Sequence, residues 1–498
     1  MPAVTSSLAP TIVDQPDPTR PGRPDSHPDA CPSAEEPARS QHAIITRVIT
    51  VAKGVFAPGH LGELTQIVPF EMVDAVLADT GRTQQRIRIL PSRVVVYLLL
   101  AAGLFAELGY LGVWDKLVSG LQGLGLTRPS ATAVWQARIR VGVTPLRALF
   151  DLLRGSAAGL RTTGVWWCGL LVTAIDATVL DVPDTPDNTA RLKKNRSQHG
   201  TAGYPQIRLV TLVACGTRAV IDAVFGPKSD GESSYARTLL RSLRSGMIVL
   251  LDRGFDSNTF LIAVADTKAD FVVRLNGNRK PPMLRRYRDG SYLSMIAGVR
   301  VRIIECEITV STTAGKRTGV YRLATTLLDW QRFAALQIVS LYHERWEIES
   351  TYLEIKSTLL GRRVLRSTNP VLITQEIYAL LVMYQVVRIA MADTAQARPG
   401  VDPDRVCFTI AVQTAKDLLI QAVNVIADTT IDLIGTIGRH LLDNLMPSRR
   451  LRLSPRAVKR PLSRYAYKSL GVDRKSYKAT LTIDILAGQP ALTDQDDP

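Results

Sequence analysis

Apolar residues follow one spacing near the start of the chain and another in its middle. From about residue 42 to residue 160 they gather in stretches of helical length, such as ELTQIVPFEMVDAVLAD and SRVVVYLLLAAGLFAEL, each bounded by Gly, Pro or Thr. From residue 166 to residue 276 they form shorter runs of strand length that alternate with helical segments. The pattern predicts a helical N-terminal domain followed by an α/β domain.

The α/β segment has a definite order of predicted elements. Three successive strands, GLLVTAIDATVLDVP, QIRLVTLVAC and RAVIDAVFG, precede a helix, a strand, a helix and a last strand. This is the order of a ribonuclease H-like core, in which hairpin-linked strands and short parallel strands share one mixed sheet. We therefore predict an α/β fold with a ribonuclease H-like core over residues 166–392.

Three further segments depart from this core. Residues 1–41 are rich in proline and are predicted to be disordered. Residues 277–330 contain a Pro-, Arg- and Gly-rich stretch and two strand pairs, which predict a β-rich insertion. Residues 393–498 are predicted to form a helical C-terminal region with a basic tail at 449–478. That tail either binds the DNA backbone or is a solvated flexible segment.

Charge and cysteine usage narrow the functional class. The chain has 61 Lys and Arg against 45 Asp and Glu, a net charge of +16. Such an excess attracts phosphate backbones, as well as membrane surfaces and acidic partners, so nucleic acid is the leading candidate partner. The five cysteines form no CxxC pair, which favours a reducing cytoplasm over a disulfide framework or zinc site. The apolar run at 94–106 is shorter than the roughly 20 residues that span a bilayer, so we interpret it as a buried helix and expect no membrane partner.

The stretch YHERWEIESTYLEIK concentrates polar groups suited to phosphate chemistry. On an ideal helix of about 100° per residue, Tyr342, Arg345, Glu349 and Lys356 fall within roughly 60° of arc, beside an apolar face. This predicts a helix that packs on the sheet and turns a polar stripe towards a groove. The alternative is a solvated face with an ordinary i,i+4 pair between Arg345 and Glu349.

Two aspartates lie where a carboxylate is costly unless it is paired or bound to a metal. Asp176 sits inside an apolar strand and Asp252 closes another. With Glu349 they would form three converging carboxylates, an arrangement that holds two Mg²⁺ ions, or Mn²⁺ in their place, for in-line displacement at phosphorus. The alternatives are a strand-end turn for Asp252 and, in place of Asp176, one of the nearby acids Asp181, Asp184 and Asp187.

The spacing Y-(2)-R-(3)-E-(6)-K, together with the DRG after the second acidic strand, resembles the insertion-sequence-four family of bacterial DDE transposases. The resemblance implies that Asp176, Asp252 and Glu349 are the catalytic triad and metal ligands. It also implies that Tyr342, Arg345 and Lys356 contact DNA phosphates near the scissile bond. An insertion between the second and third acids is a further feature that it implies.

A second DNA contact is predicted in the N-terminal domain. In PSATAVWQARIRVG, Ser130 is a candidate helix cap, and the exposed side of that helix is expected to carry Gln136, Arg138 and Arg140. The alternative is a helix with ordinary surface charges. The resemblance extends to residues 57–101 and implies that this domain, residues 42–160, binds transposon ends.

Together with these residues, the resemblance implies a transposase that cuts DNA at the terminal inverted repeats of its own insertion element and joins the ends to target DNA. The resemblance implies cut-and-paste movement by a synaptic homodimer in the bacterial cytoplasm, in association with the nucleoid. Two alternatives remain at this point. One is a metal-dependent nuclease that does not integrate, and the other is a DNA-binding protein with an inactive catalytic core.

Overall fold

The computed structural model describes residues 60–84, 86, 90–121, 126–197, 200–313, 315–422, 435–447, 452–453 and 477–486. The Pro-rich segment at 1–41 and almost all of the basic tail at 449–478 lie outside these residues. The predictions made for those two segments therefore stay predictions.

Within the described residues, five helices form the N-terminal part of the fold, as the apolar spacing predicts. The first begins directly after Pro69, and the helix expected over 63–79 is split into this helix and a short 3-10 turn, Leu64–Gln66. The helices are α1 (Phe70–Asp79), α2 (Ser92–Leu104), α3 (Tyr110–Ser119), α4 (Ala131–Val141) and α5 (Thr144–Leu153). Nearly every residue of α2 is buried, which agrees with the interpretation of its apolar run as a core helix.

The predicted order of strands and helices is present in the middle of the chain. Its elements are β1 (Trp166–Trp167), β2 (Leu170–Asp181), α6 (Pro186–Leu192), β3 (Asn195–Ser197), β4 (Gly200–Ala202), β5 (Gln206–Ala214), β6 (Val220–Pro227), α7 (Glu232–Leu239), β7 (Met247–Leu251), α8 (Asn258–Asp266) and β8 (Asp270–Arg274). β2, β5 and β6 pair antiparallel, whereas β2, β7 and β8 pair parallel. The sheet order β6-β5-β2-β7-β8 is that of a ribonuclease H-like core.

The insertion extends this sheet. Its strands are β9 (Arg285–Arg286), β10 (Tyr292–Ile296), β11 (Val299–Thr312) and β12 (Gly315–Thr325), and β12 pairs with β8 at the edge of the core. The insertion thus covers an edge strand that would otherwise present unpaired backbone groups.

In the last part of the chain, the residues that the structure describes combine helices with two strands. Its helices are α9 (Ala335–Tyr342), α10 (Trp346–Leu353), α11 (Pro370–Ala397), α12 (Phe408–Gln421) and α13 (Gly435–Asp443), and its strands are β13 (Arg452–Leu453) and β14 (Tyr477–Ile485). β14 pairs antiparallel with β11 over seven residues, so the expectation of a purely helical C-terminal region is wrong. The physical reason is the second open edge of the insertion, which β14 covers.

Helices cover both faces of the core sheet. Alternate residues of β2 belong to two separate hydrophobic clusters: Val172 and Ala174 pack with the helices from α9 to α11 and the N-terminal helices, and Leu171 and Ile175 pack with α7 and α8. By the same alternation, Asp176 lies on the α10 side.

Among the described helices, α11 alone is long and apolar enough to cross a membrane, but 78% of its most apolar window is buried inside the protein, as in a core helix.

Candidate active site

Two of the expected acids are brought level by parallel strand pairing. β2 and β7 align Leu171 with Met247 and continue in register to Ala174 and Leu250. Asp176 and Asp252 each come two residues after that last pair. Since neighbouring strands lie about 4.8 Å apart, the register directs both residues to one end of the parallel pair.

Glu349 reaches this end of the sheet from α10, and Arg345 joins it to Asp176. The guanidinium of Arg345 lies 3.8 Å from Asp176 Oδ2 and 3.9 Å from Glu349 Oε1. Arg345 is buried, and its Nε and Nη1 atoms have no hydrogen-bond partner within the described structure. The buried cation thus lies between two of the acids at distances that leave hydrogen bonds unmade.

The helix that carries Glu349 is fixed to the sheet by two tyrosines. The hydroxyl of Tyr352 donates to the carbonyl oxygen of Asp176 and contacts Thr211 Oγ1 at 2.9 Å. The hydroxyl of Tyr342 donates to the carbonyl oxygen of Leu251 at 3.1 Å. Both strands that bear the aspartates are therefore tied to the same helical segment.

The burial of Tyr342 corrects one expectation. Tyr342 was expected on a polar stripe that faces a groove, but it is 8% exposed and its hydroxyl donates to the carbonyl oxygen at the end of β7. Lys356, by contrast, is partly buried, and its Nζ donates to Thr178 Oγ1 at 3.2 Å. Because Thr178 follows Asp176 by two residues on β2, Lys356 lies on the same face of the strand as that acid.

The helical stripe is also less regular than an ideal helix. A 3-10 turn, His343–Arg345, separates α9 from α10, and a π-helical segment, Glu354–Leu359, follows α10. The single helix predicted over 342–356 is therefore divided into a 3-10, an α and a π segment, which differ in pitch. Arg345 and Glu349 still meet as an i,i+4 pair, whereas Lys356 is displaced around the axis and reaches β2.

A buried cluster of ions lies along this irregular segment. The guanidinium of Arg218, in the turn between β5 and β6, binds Glu347, lies 3.0 Å from Glu354 Oε1 and lies 3.2 Å from Asp404 Oδ1. Glu354 also pairs with Arg388 of α11, and these partners lower its pKa against the opposing effect of burial. Glu347 and Glu354 flank Glu349, so Arg218 holds both sides of the helical segment that presents it.

Burial and neighbouring acids weaken the ionisation of Asp176. Burial is the main cause that raises its pKa to about 7, and the negative charges of Asp252 and Glu232 raise it further, against the Arg345 charge and a hydrogen bond from the Ala177 amide. Glu232, at the start of α7, was not among the residues expected from the sequence. Its position after a loop, between a strand and a helix, carries no pattern that distinguishes it from a surface acid.

The donor set suits a hard divalent cation. Among the described residues no three His, Cys, Asp or Glu side chains are already grouped closely enough to hold a metal ion. The residues nevertheless fit one chemically, since all the candidate donors are carboxylate oxygens. The raised pKa of Asp176 also marks a carboxylate whose ionised form lacks sufficient positive charge nearby.

Three residues were expected on the exposed side of α4, the candidate DNA-reading helix, and the structure places them in different environments. Gln136 and Arg140 are exposed, and Ser130 caps the helix by accepting a hydrogen bond from the Ala133 amide. Arg138 is 4% exposed, which corrects the expectation for that residue. It donates to Gln375 and to Ser367, at 3.1 and 2.8 Å, and so joins α4 to α11 and the segment before it.

Known proteins resemble the chain in both halves. The family "Insertion element 4 transposase N-terminal" matches residues 58–151, and the family "Transposase DDE domain" matches residues 167–386. The transposase InsG for insertion sequence element IS4 of Escherichia coli K12 is 27% identical over 408 residues, or 78% of this chain and 90% of that protein. The putative transposase InsZ of the same strain is 27% identical over 206 residues, or 40% of this chain and 65% of that protein.

Among solved structures, a cryo-EM structure of the piggyBac transposase synaptic complex with hairpin DNA matches this chain. The match covers 77% of this chain and 84% of the piggyBac chain. The sequence identity is 11% and the TM-score is 0.38. A similarity this distant supports no further conclusion.

The α/β core and the two family matches define the class as a DNA-cleaving transposase that acts on DNA with divalent metal ions, as DDE enzymes generally do. The chain belongs to the insertion element 4 family of DDE transposases.

Proposed function

We propose that the chain cleaves DNA at the ends of its own insertion element in a Mg²⁺-dependent reaction and transfers the freed strand to target DNA, by cut-and-paste transposition. The main support is the register of β2 and β7, which brings Asp176 level with Asp252, together with Arg345, which joins Asp176 to Glu349. These three carboxylates are the residues that we assign to catalysis.

Asp176, Asp252 and Glu349 would hold the metal ions, of which we propose two, with Mn²⁺ able to replace Mg²⁺. Such ions would lower the pKa of the attacking hydroxyl and stabilise charge on the leaving oxygen. The chain's own residues then position the DNA. Arg345 offers unfilled N–H donors to a phosphate oxygen. Lys356 supplies a point charge next to Thr178, two residues beyond Asp176 on β2.

The remaining assignments concern the whole chain. We propose that residues 42–160 bind the terminal inverted repeats, with Gln136 and Arg140 on the DNA side of α4. Residues 166–392 are the catalytic core with its insertion at about 277–330, and residues 393–498 contact DNA through their basic tail. Two chains would pair the two element ends in a homodimeric complex in the bacterial cytoplasm, in association with the nucleoid.

The test is nicking of a plasmid that carries the element's own inverted repeats, with and without Mg²⁺. The wild-type chain is compared with Glu349→Gln and with Glu344→Gln, which makes the same change five residues away, in the 3-10 turn before α10. We expect cleavage at the repeat ends by the wild type and by Glu344→Gln, and no cleavage by Glu349→Gln or in EDTA.

Three results would change this proposal. Binding to the ends without cleavage by any of the chains would favour an inactive DNA-binding protein. Cleavage without joining to a target plasmid would favour a nuclease. Undiminished cleavage by Glu349→Gln would remove that residue from the catalytic set.

A further inference from the structure

A cavity of about 810 Å³ lies between the N-terminal helices and the segment that follows the catalytic helix. α4 contributes Val134 and Trp135 to one wall, and the start of α3 contributes Tyr110 and Leu111. Residues between 362 and 368 form the opposite wall. The volume of the cavity is in the range of sites that accommodate a small organic group, and the cavity walls are mainly apolar.

The mouth of the cavity is basic. Arg362 and Arg363 are exposed there, whereas Glu107 is the one acid among the residues that line the cavity within the described structure. Two deeper arginines already have structural roles: Arg138 packs 4.1 Å above the ring of Tyr110, and Arg366 pairs with Glu376. The positive charge available to an occupant is therefore that of the two arginines at the mouth.

An exposed aromatic ring lines the same cavity. Trp135 is 52% exposed, although a tryptophan side chain is rarely left in water without a partner. Its large flat surface next to exposed guanidinium groups matches a nucleotide, which presents a flat base, a sugar and a phosphate. A protein partner would have to bring acidic groups to the same two arginines.

The cavity is connected directly to the candidate active site. The amide of Arg362 donates to the carbonyl oxygen of Lys356 at 2.7 Å, and the amide of Leu365 donates to the carbonyl oxygen of Asp181 at 3.0 Å. Asp181 comes five residues after Asp176 on β2, which corresponds to about 17 Å of strand. At 3.4 Å per nucleotide, that length corresponds to about five base pairs of DNA.

We propose that this cavity is a second DNA-binding site, which holds the strand under cleavage about five nucleotides from the reacting phosphate. Arg362 and Arg363 bind the phosphates, and Trp135 packs against the neighbouring sugar and base. The inference rests on the proposed function and adds to it a contact outside the catalytic groove, at the junction of the helical domain and the core.

The test measures the binding of full-length protein to a duplex of the element's own terminal repeat over a range of salt concentrations. The variants are Arg362→Gln/Arg363→Gln and the charge-preserving Arg362→Lys/Arg363→Lys. Each phosphate contact contributes about one unit to the slope of log K against log salt, so the glutamine variant is expected to lose about two units and the lysine variant almost none.

Arg244 supplies the matched control. It is exposed and precedes β7 by three residues, at the strand end opposite Asp252. Arg244→Gln is expected to leave the slope unchanged. Hydroxyl-radical footprinting of the same complexes should show that protection about five nucleotides from the cleavage position disappears in the glutamine variant alone.

A separate measurement tests the aromatic contact. Trp135→Ala is expected to weaken binding roughly ten-fold at fixed salt, and Trp135→Phe much less, because stacking on a flat ring contributes most of the effect. An unchanged slope and footprint in Arg362→Gln/Arg363→Gln would overturn the inference while leaving end cleavage intact. Failure of the wild type to bind its own ends would overturn the proposed function as well.

Discussion

The hydroxyl of Tyr342 donates a hydrogen bond to the carbonyl oxygen of Leu251, the residue directly before Asp252. One end of the segment that carries Glu349 is thereby attached to the strand end that carries the second acid. Because Tyr342 is buried, its contribution to activity is expected to come from this attachment and not from contact with DNA.

Tyr342→Phe removes the one hydroxyl and leaves the packed ring. We expect a loss of about 1 kcal/mol in the free energy of unfolding. We also expect a roughly ten-fold loss in the rate of end cleavage, since small displacements of reacting groups are costly. Affinity for the ends and its salt dependence should stay unchanged. The control is Tyr204→Phe at an exposed tyrosine, and a reduced salt slope in Tyr342→Phe would instead indicate phosphate contact.

The ion cluster around Arg218 gives a second prediction. Arg218→Met leaves Glu347, Glu354 and Asp404 with fewer compensating charges, and breaking a buried pair of this kind costs about 3 to 5 kcal/mol. We expect a lower urea midpoint and a loss of cleavage that exceeds the loss of end binding. Arg218→Lys keeps the charge but not the three-way geometry, and should fall between the wild type and Arg218→Met. Equal losses of cleavage and binding would argue against a role in positioning Glu349.

The strand order was predictable from the sequence, and so was the pair of aspartates at one sheet end. Both depend on local runs such as TAIDATVL and MIVLLD, whose period and order determine which strand ends coincide. The contact between Arg345 and Glu349 was predictable because a helix of nearly regular pitch keeps residues i and i+4 together over one turn.

The remaining features depend on contacts between residues far apart in the chain. The 3-10 and π turns around α10 accompany the pairing of Glu347 and Glu354 with Arg218, more than a hundred residues earlier. Arg138 looks like a surface residue in the sequence, yet Gln375 and Ser367 provide it with a buried polar site. β14 is separated by a long segment from β11, the strand with which it pairs.

The different environments of Arg138 and Arg140 give a third prediction. Arg138→Leu would leave the polar atoms of Gln375 and Ser367 without that partner, and we expect it to destabilise the protein by about 2 to 4 kcal/mol. Arg140→Leu, at an exposed position two residues away, should change stability by less than about 0.5 kcal/mol and weaken end binding. Urea unfolding and end binding, measured on both variants, separate the two roles. Similar stability losses in both would contradict the assignment.

Asp222 provides a prediction about pH. Its carboxylate is fully buried on β6 and accepts hydrogen bonds from Arg241 and Ser242, with Arg154 Nη1 at 2.9 Å. Burial opposes its ionisation, but the hydrogen bonds and the arginine charges outweigh burial and lower its pKa.

A lowered pKa in the folded state means that the carboxylate stabilises the fold above the unfolded pKa of about 3.9, and that this stabilisation is lost as the pH falls through the folded value. Asp222→Asn should therefore be less stable than the wild type by about 2 to 4 kcal/mol at pH 7. The difference should narrow as the pH falls below about 3.9, because the unfolded wild type then binds a proton that the folded carboxylate does not yet bind. Urea midpoints between pH 7 and pH 3 check this, with Asp266→Asn as the control at an exposed aspartate. A difference that stays constant over that range would show that the carboxylate contributes shape and hydrogen bonding but not charge.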